Sequence, residues 1–216
     1  MRDRRTRIEQ GNSLRGPGRS PDRAGTLWRG PRICTMAGVK AYTIGHSTRQ
    51  IEEFIERLDE HAIRRLVDVR RYPGSRLHPQ FNRDQLSRSL AARGIEYRHA
   101  PELGGRRRTR ADSVNTAWRN SGFRGYADWM ASPEFRAGLE HLIADVRNVA
   151  TALMCAEVVP WMCHRFLLAD ALVARNIEVI HILGANSVKV HELNADARID
   201  AEGLTYPGGD PQIGLL

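Results

Sequence analysis

The chain has 216 residues, 41% of them apolar, so it can bury a substantial core, and its length favours one domain with appendages over two full domains. Its formal charge is +8, but residues 1–37 hold nine Arg against three acidic residues, which leaves the body close to neutral. No apolar stretch of about 18 residues occurs, which argues against a membrane-spanning helix or a membrane partner. Three Cys are too few for the disulfide framework of a small secreted protein, so we expect a cytoplasmic protein with reduced thiols.

The segment 1–37 is predicted to be a disordered, Arg-rich leader. It repeats Gly, Pro, Ser and Arg without a sustained apolar period, so it cannot bury enough apolar surface to offset the entropy of folding. A true start of translation at Met36 explains this leader equally well, because the first strand pattern begins just after it. We expect the folded domain to span 38–194 and a C-terminal tail to span 195–216.

Strands and helices are predicted to alternate along the domain. In chain order, strands are predicted over 41–45, 66–70, 95–98, 152–155 and 177–183, with an edge strand after Ser187. Helices are predicted from Ile51, with Ser47 and Gln50 as a capping box, and from Asn82, Pro133 and Phe166, with a helical insertion between Trp118 and Met130. This alternation predicts an α/β fold with a mostly parallel sheet and helices on both faces.

Polar side chains follow three of the predicted strands. They are His46 and Ser47 after the first strand, Asp68 and Arg70 at the end of the second, Cys155 and Glu157 at the end of the strand over 152–155, and Cys163, His164 and Arg165 at the start of the next helix. In an open α/β sheet, ligands usually bind beyond the carboxyl ends of the strands. We therefore expect these side chains to share one crevice.

Cys163 is the candidate nucleophile or redox thiol of this crevice. A thiol at a helix N-terminus, near His or Arg, can have its pKa lowered from about 8.5 to roughly 3.5–7.5. His164 or His46 would transfer the proton, and Glu157 would act as an acid, a base or an orienting carboxylate. The alternative is that Cys155 and Cys163 are small buried hydrophobic residues.

Arg70 and Arg165 are predicted to clamp an anionic group of the substrate. A cation at a helix N-terminus is disfavoured by the helix dipole unless an anion compensates it, which points to a phosphate or a carboxylate. Asp68 could orient either arginine, and Ser47 and Cys155 would complete the substrate-binding surface. The alternative is that Arg165 fastens two strands through an ion pair with a neighbouring carboxylate.

No cofactor is predicted, although zinc remains an alternative. Cys155, Cys163, His164 and His46 are acceptable zinc donors, but the thiols are separated by seven residues, unlike the gaps of about two to four in most structural sites. A reversible disulfide between the two thiols is a further alternative.

One half of the body is strongly basic. Residues 64–124 carry fifteen Arg and five acidic residues, interleaved with aromatic side chains, a pattern that suits phosphates and stacked bases. The triplet 106–108 and Arg110 fall in a predicted loop and suit a phosphate backbone. The same arginines could equally form a solvated surface.

Several short motifs together resemble a known family. They are Tyr42-Thr43-Ile44-Gly45-His46-Ser47, Asp68-Val69-Arg70 with Pro73 and Ser75, Leu103-Gly104-Gly105, Tyr126-Ala127-Asp128-Trp129-Met130, and Met154-Cys155-Ala156-Glu157 with Cys163-His164-Arg165. In this order they resemble the domain of unknown function family numbered 488 (DUF488), from about Ala41 to about Ile182. The resemblance implies a compact α/β domain and implies no activity.

Two hypotheses of function follow from the residues. The first is an enzyme with a thiol-containing crevice that acts on an anionic substrate, either a small molecule such as a nucleotide or a nucleic acid. The second is a non-catalytic nucleic-acid-binding or interaction module in which the cluster of Cys, His and Arg is structural.

Overall fold

The structure is a computed structural model that describes residues 38–200 and 203–209. These residues all fall within one unit of the chain, Met36–Leu216. The predicted leader, with the alternative start at Met36, lies outside the described residues, as do residues 201, 202 and 210–216 of the predicted tail.

Eight strands and five α-helices are described. The strands are β1 (Lys40–Gly45), β2 (Arg65–Asp68), β3 (Glu96–His99), β4 (Thr151–Cys155), β5 (Glu178–Gly184), β6 (Ser187–Val190), β7 (Arg198–Ile199) and β8 (Leu204–Thr205). The helices are α1 (Ile51–Glu60), α2 (Arg83–Ala91), α3 (Ser121–Met130), α4 (Pro133–Asn148) and α5 (Arg165–Val173), with 3-10 turns at Pro79–Phe81, Pro101–Leu103 and Pro160–Met162. No helix in the described part of the chain is long and apolar enough to cross a membrane.

The main sheet has the strand order β3-β2-β4-β1-β5-β6. Strands β1 to β5 are parallel and β6 pairs antiparallel with β5, so the predicted mostly parallel α/β sheet is confirmed. The predicted helical insertion corresponds to α3. Strand β2 ends at Asp68, two residues earlier than predicted, which leaves Arg70 in the loop that follows.

Helices cover both faces of the sheet, as predicted. Helices α1 and α2 pack on one face, and α3, α4 and α5 pack on the other. All five residues of β4 are buried, which explains why this central strand is apolar without alternation. Because side chains alternate along a strand, Met154 faces α1 and α2 while Cys155 joins the core beneath α5.

The direction of the crossovers explains where a ligand site can form. The chain moves outward from β1 to β3 through α1 and α2, and then returns to β4 and β5 through helices on the opposite face. Loops from β1, β2 and β4 therefore diverge at the carboxyl edge of the sheet, which is the usual position of a crevice in such folds.

The loop after β1 is held tightly against the loop after β4. The backbone N–H groups of His46 and Ser47 donate to the carbonyl groups of Cys155 and Ala156, at 3.0 and 2.8 Å. A Cβ at Gly45 would overlap the carbonyl oxygen of Glu157, so this approach requires glycine.

The predicted capping box before α1 is wrong. Gln50, and not Ser47, occupies the N-cap position of α1, and its side chain makes no capping hydrogen bond. Ser47 instead has a φ of 46°, in the left-handed region, which turns the chain from β1 towards the helix.

The long loop that precedes α3 is anchored by one carboxylate. Asp128, on α3, accepts hydrogen bonds from the backbone N–H of Arg110 at 2.8 Å, the Ser113 hydroxyl at 2.6 Å and the Asn115 amide at 2.8 Å. Asp128 is 7% exposed, so these bonds satisfy a carboxylate that burial would otherwise penalise. The arginines of this loop are therefore presented by an ordered backbone.

Candidate functional site

A crevice of about 600 Å³ opens at the carboxyl ends of β1, β2 and β4. Of the nine predicted site residues, seven line it, namely His46, Ser47, Arg70, Cys155, Glu157, Cys163 and His164. The other two, Asp68 and Arg165, are buried, with 0% and 1% of their surface exposed. Each contacts residues of the crevice wall, as described below.

The centre of the crevice is formed by two thiols and one imidazole. His164 Nε2 lies 3.1 Å from the carbonyl oxygen of Val69, which can only accept a hydrogen bond, so Nε2 carries a proton. In the neutral ring, Nδ1 is then an acceptor that lies 3.5 Å from Cys163 Sγ and 4.0 Å from Cys155 Sγ. The ring is thus held in the tautomer that can take a proton from a thiol.

The two thiols have opposite acidities. The hydrogen bond from Cys155 lowers the pKa of Cys163 well below its ordinary value, and the neighbouring His164 and Arg165 act in the same direction. The same hydrogen bond, together with burial, raises the pKa of Cys155 well above its ordinary value. The pair therefore favours a Cys163 thiolate that accepts a hydrogen bond from the Cys155 thiol, which is the state of a nucleophilic cysteine.

The position of Cys163 relative to α5 differs slightly from the prediction. Cys163 follows the 3-10 turn Pro160–Met162 and precedes the first residue of α5, Arg165, by two positions. Its carbonyl accepts the N–H of Phe166 at 3.0 Å, so the thiol sits just before the helix, still close to the positive end of the helix dipole.

Two residues that sequence reasoning did not place in the site hold the His164 ring. The edge of Tyr126 packs on it with the ring centroids 5.0 Å apart, and the Tyr126 hydroxyl donates to the Leu103 carbonyl at 2.8 Å. A Cβ at Gly105 would lie 2.8 Å from Nδ1, so the backbone there approaches the ring closely. The motif around Tyr126 was visible in the sequence, but its spacing indicated only a helical insertion.

Arg165 is a buried cation that acts electrostatically on both thiols. Its guanidinium donates to the carbonyl oxygens of Glu157 and Val158 and to Thr43 Oγ1, while its Nε is buried without a hydrogen-bond partner. Among the described residues it forms no ion pair with a carboxylate, so the alternative of an ion pair that fastens two strands is not observed. Its positive charge contributes to the lowered pKa of Cys163.

Behind Arg165, a chain of hydrogen bonds runs through the core. Thr43 Oγ1 lies 2.7 Å from His181 Nδ1, His181 Nε2 lies 3.0 Å from His191 Nδ1, and His191 Nε2 lies 2.9 Å from Asp170 Oδ1. Tyr206 donates to the other oxygen of Asp170 at 2.8 Å. Because a carboxylate only accepts, His191 Nε2 carries a proton, and in neutral rings the protons then all point the same way, from Arg165 towards Asp170. We call Asp170, His181, His191 and Tyr206 the Asp170 cluster.

Tyr206 belongs to the predicted C-terminal tail. Its side chain is fully buried and stacks edge-on against Trp118, so this part of the tail contributes to the core. No local periodicity in the sequence predicted this contact of Tyr206 with the core.

Arg70 is engaged by a buried carboxylate. Its Nε and one of its terminal nitrogens donate to Asp68, at 2.9 and 2.6 Å, and Asp68 also accepts the Tyr97 hydroxyl at 2.8 Å. The same terminal nitrogen also donates to the Phe81 carbonyl at 2.8 Å. Arg70 therefore orients the crevice wall, and Asp68 orients Arg70 as the sequence suggested.

His46 supports the same wall. Its Nδ1 donates to the Ser47 carbonyl at 2.9 Å, its Nε2 accepts from Arg70 at 3.2 Å, and its ring stacks on Phe81 with centroids 4.3 Å apart. Burial lowers the pKa of His46 to about 4, so the ring is neutral near pH 7. Since both ring nitrogens are occupied, this arrangement favours His164 over His46 as the group that transfers a proton.

The mouth of the crevice is positively charged. Arg71 and Arg106 are exposed there, and neither forms an ion pair with a carboxylate of the described chain. Glu157 is exposed, and it is the single carboxylate among the described residues that line the crevice. An anionic ligand would therefore meet a net positive rim.

The described residues contain one group with the chemistry of a transition-metal site. The ligand atoms of Cys155, Cys163 and His164 lie within 4.8 Å of one another. His46, the fourth donor considered from the sequence, is not part of this group, because Arg70 and Ser47 occupy its nitrogens. The proton on His164 Nε2 and its carbonyl acceptor would orient Nδ1 towards a metal, as in many zinc proteins.

The fold and the site together define an α/β protein with a paired thiol and imidazole at the carboxyl edge of its sheet. The sequence matches the family model described as "Domain of unknown function DUF488" over residues 50–172, so the chain belongs to the DUF488 family, as its motifs suggested. The matched segment includes both thiols, His164 and Arg165. No match to the chain was found among curated proteins or among solved structures.

Proposed function

We propose that this protein is an enzyme that uses Cys163 as a thiolate nucleophile on an anionic substrate bound in the crevice. The observation that carries this proposal is Cys163 Sγ at 3.5 Å from His164 Nδ1, together with a buried Arg165 that acts on the same thiol and has no carboxylate partner among the described residues. A buried charge requires a partner, and a Cys163 thiolate supplies one. A structural cluster of two neutral thiols would leave that guanidinium uncompensated.

The arrangement supports a two-step nucleophilic reaction. His164 Nδ1 holds the proton of the Cys163 thiol, and Sγ attacks an electrophilic carbon or phosphorus of the substrate. As the new bond to Sγ forms, the bond to the leaving group breaks with its electron pair, and His164 gives its proton to that group. Water then attacks the covalent intermediate, returns a proton to Nδ1 and releases Sγ as a thiolate.

Residues at the rim and in the wall of the crevice would bind and position the substrate. Arg71 and Arg106 would attract the anionic part of the substrate at the mouth, where both are exposed. Arg70 and His46, each held by neighbours, would keep the wall rigid. Glu157 would orient a water molecule or a polar group of the substrate, and Ser47 would offer a hydroxyl group to the substrate, since both line the crevice.

The decisive measurement is the titration of the Cys163 thiolate. The ultraviolet absorbance of thiolate is followed against pH in the wild-type protein and in Cys163→Ser, and the difference reports Cys163. We expect a midpoint well below about 8.5, the ordinary thiol pKa, with Cys163→Ser folded but lacking the transition. A midpoint at or above the ordinary value would refute the nucleophile and favour the non-catalytic binding module with a structural cluster.

Catalysis is tested with anionic chromogenic substrates such as p-nitrophenyl phosphate and p-nitrophenyl hemisuccinate. We expect turnover that Cys163→Ser abolishes and a covalent adduct of the wild-type protein, detected by intact mass, that maps to Cys163. His164→Asn should slow both formation and hydrolysis of the adduct, because it removes the proton acceptor.

A zinc centre is the second candidate, favoured by the convergence of Cys155, Cys163 and His164. These three residues would hold the ion, and a fourth position would face the crevice, where a bound zinc ion would supply an activated water. Metal analysis of the purified protein tests this directly. Stoichiometric zinc that is lost in His164→Ala and retained in His46→Ala would establish the centre, whereas metal-free protein would leave the thiolate as the active group.

We also propose that the protein acts in the cytoplasm. The reaction requires two reduced thiols, and the structure has Cys155 and Cys163 free. Cytoplasmic redox systems keep such thiols reduced. Localisation of a fusion with a fluorescent protein tests this expectation.

A further inference from the structure

A second cavity, of about 770 Å³, adjoins the thiol crevice. The two cavities share three lining residues, Arg71, Tyr72 and Arg106, so they are adjacent. Arg107, Arg108 and Arg110 extend the second cavity beyond these shared residues. We call this second cavity, from Arg71 to Arg110, the arginine groove.

We propose that the arginine groove binds a single strand of nucleic acid, one nucleotide of which enters the thiol crevice. The binding is inferred from the groove itself, whereas the role of the entering nucleotide as substrate rests on the proposed function. A strand is the kind of anion that has phosphates at regular intervals along a groove and bases that can stack on its aromatic side chains.

The charges of the groove are available to a ligand. Arg71, Arg106 and Arg108 are exposed and have no carboxylate partner in the described chain, whereas Arg110 is paired with Asp112 at 2.7 Å. Asp128 is the single carboxylate among the described lining residues, and its oxygens already accept three hydrogen bonds. Three uncompensated cations therefore face a groove that contains no free anion of its own.

The backbone that carries these arginines is already in place. Asp128 fixes the loop from below, and Thr109 Oγ1 donates to the Ser121 carbonyl at 2.8 Å. A Cβ at Gly125 would overlap the carbonyl of Arg107, so α3 packs directly against the loop. A preformed loop loses little conformational entropy when it binds a ligand. A surface that only contacts solvent would not require such a fixed backbone.

The aromatic side chains favour nucleic acid over an acidic peptide. Tyr72 is 62% exposed at the junction of the two cavities, with the Arg71 guanidinium 5.5 Å from its ring centroid. The Arg107 guanidinium lies 3.7 Å from the Trp129 centroid and presents a second flat surface. Exposed aromatic rings and stacked guanidinium planes are the platforms on which unpaired bases lie. A duplex hides its base faces and cannot use them.

The experiment measures binding of a fluorescein-labelled oligothymidylate of about 12 nucleotides by anisotropy over a range of salt concentrations. The test variant is Arg71→Gln/Arg106→Gln/Arg108→Gln. We expect it to weaken binding at least about tenfold at low salt and to reduce the slope of log K against log salt by about 2, since each phosphate contact of a single strand contributes about 0.7.

The matched control carries the same loss of charge outside both cavities. Arg64, Arg88 and Arg147 are exposed and line neither cavity, so Arg64→Gln/Arg88→Gln/Arg147→Gln should change the affinity less than about threefold and leave the slope nearly unchanged. If both triple variants weaken binding equally, the groove is not the site and the proposal is wrong.

Stacking is tested separately from charge. Tyr72→Ala should weaken binding about fivefold or more, and Tyr72→Trp should restore it, because stacking on one base contributes about a tenfold effect. Labelled polyglutamate and a duplex of the same length should bind more weakly than the single strand. Equal or tighter binding of either competitor would overturn the assignment to single-stranded nucleic acid.

The failure of this proposal is distinguishable from failure of the proposed enzyme. The two proposals are read from separate measurements, because the anisotropy of the charge variants reports the arginine groove and the thiolate titration reports Cys163. A low Cys163 pKa without specific oligonucleotide binding would overturn only the groove. Specific binding with an ordinary Cys163 pKa would overturn only the thiolate enzyme.

Discussion

Two buried polar clusters meet at Arg165, and they differ in how completely their hydrogen bonds are satisfied. In the Asp170 cluster, each proton ends on an acceptor, and the chain closes on a carboxylate. In the thiol cluster of Cys155, Cys163 and His164, the imidazole donates to the Val69 carbonyl, and in the neutral ring Nδ1 keeps a lone pair that faces the thiols. The closed cluster is suited to stability, and the open one is suited to chemistry.

Arg165→Met should have the largest effect, because this residue serves both clusters. Its removal leaves the carbonyls of Glu157 and Val158 and the Thr43 hydroxyl without their donor. We expect the free energy of unfolding, measured with urea, to fall by about 4 kcal/mol, and the pKa of Cys163 to rise. Arg165→Lys keeps the charge and should retain the low thiol pKa with a smaller loss of stability. Unchanged stability in Arg165→Met would contradict the central place given to this side chain.

Asp170→Asn should damage only the closed cluster. The amide presents a donor where Tyr206, His191 or the N–H of Asn194 requires an acceptor, so we expect a loss of about 3 kcal/mol in unfolding free energy. The thiolate titration should be unchanged. The comparison variant is Cys163→Ser, which should abolish the titration and leave the hydrogen bonds of the Asp170 cluster in place. The comparison fails if Asp170→Asn also shifts the pKa of Cys163.

Acid should weaken the structure through two buried histidines. Burial lowers the pKa of His181 to about 3 and that of His46 to about 4, both below the unfolded value of 6.5. The unfolded chain therefore binds more protons, so stability is full above about pH 6.5 and falls as the pH decreases towards the folded pKa values. At about pH 5, each histidine should reduce the free energy of unfolding by about 2 kcal/mol.

The pH effect of each histidine is measured by urea unfolding between about pH 5 and pH 7. His181→Gln should remove the part of the pH dependence of the unfolding free energy that His181 contributes. His46→Gln should remove the part that His46 contributes. A pH dependence that survives in the double variant would assign the acid sensitivity to other groups.

The smallest expected effect is that of Cys155 substitutions on the pKa of Cys163. Cys155→Ala removes the donor to Cys163, so the pKa of Cys163 should rise towards its ordinary value. Cys155→Ser supplies another donor and should keep the pKa low. The titration is again read from thiolate absorbance, and equal pKa values in the two variants would exclude the hydrogen bond as the cause.

Much of the fold was predictable from local patterns. The apolar run over 152–155 and the helical spacing in α1 and α4 identified elements that the structure contains, because strand and helix periodicities depend on neighbouring residues alone. The capping box at Ser47 failed because the loop after β1 is shaped by contacts with Ala156 and Glu157, more than a hundred residues away. Local signals carry no information about such contacts.

The sequence by itself determined the fold class, the family and the set of reactive side chains at one edge of the sheet. Only the tertiary structure decided their states. The Val69 carbonyl sets the tautomer of His164, and Arg70 donates a hydrogen bond to His46 Nε2. Arg165 donates to neutral oxygen atoms and forms no ion pair within the described chain. The physical reason is that protonation and hydrogen bonding depend on which atoms the strand order brings within about 3 Å. That order, β3-β2-β4-β1-β5-β6, cannot be read from spacing along the chain.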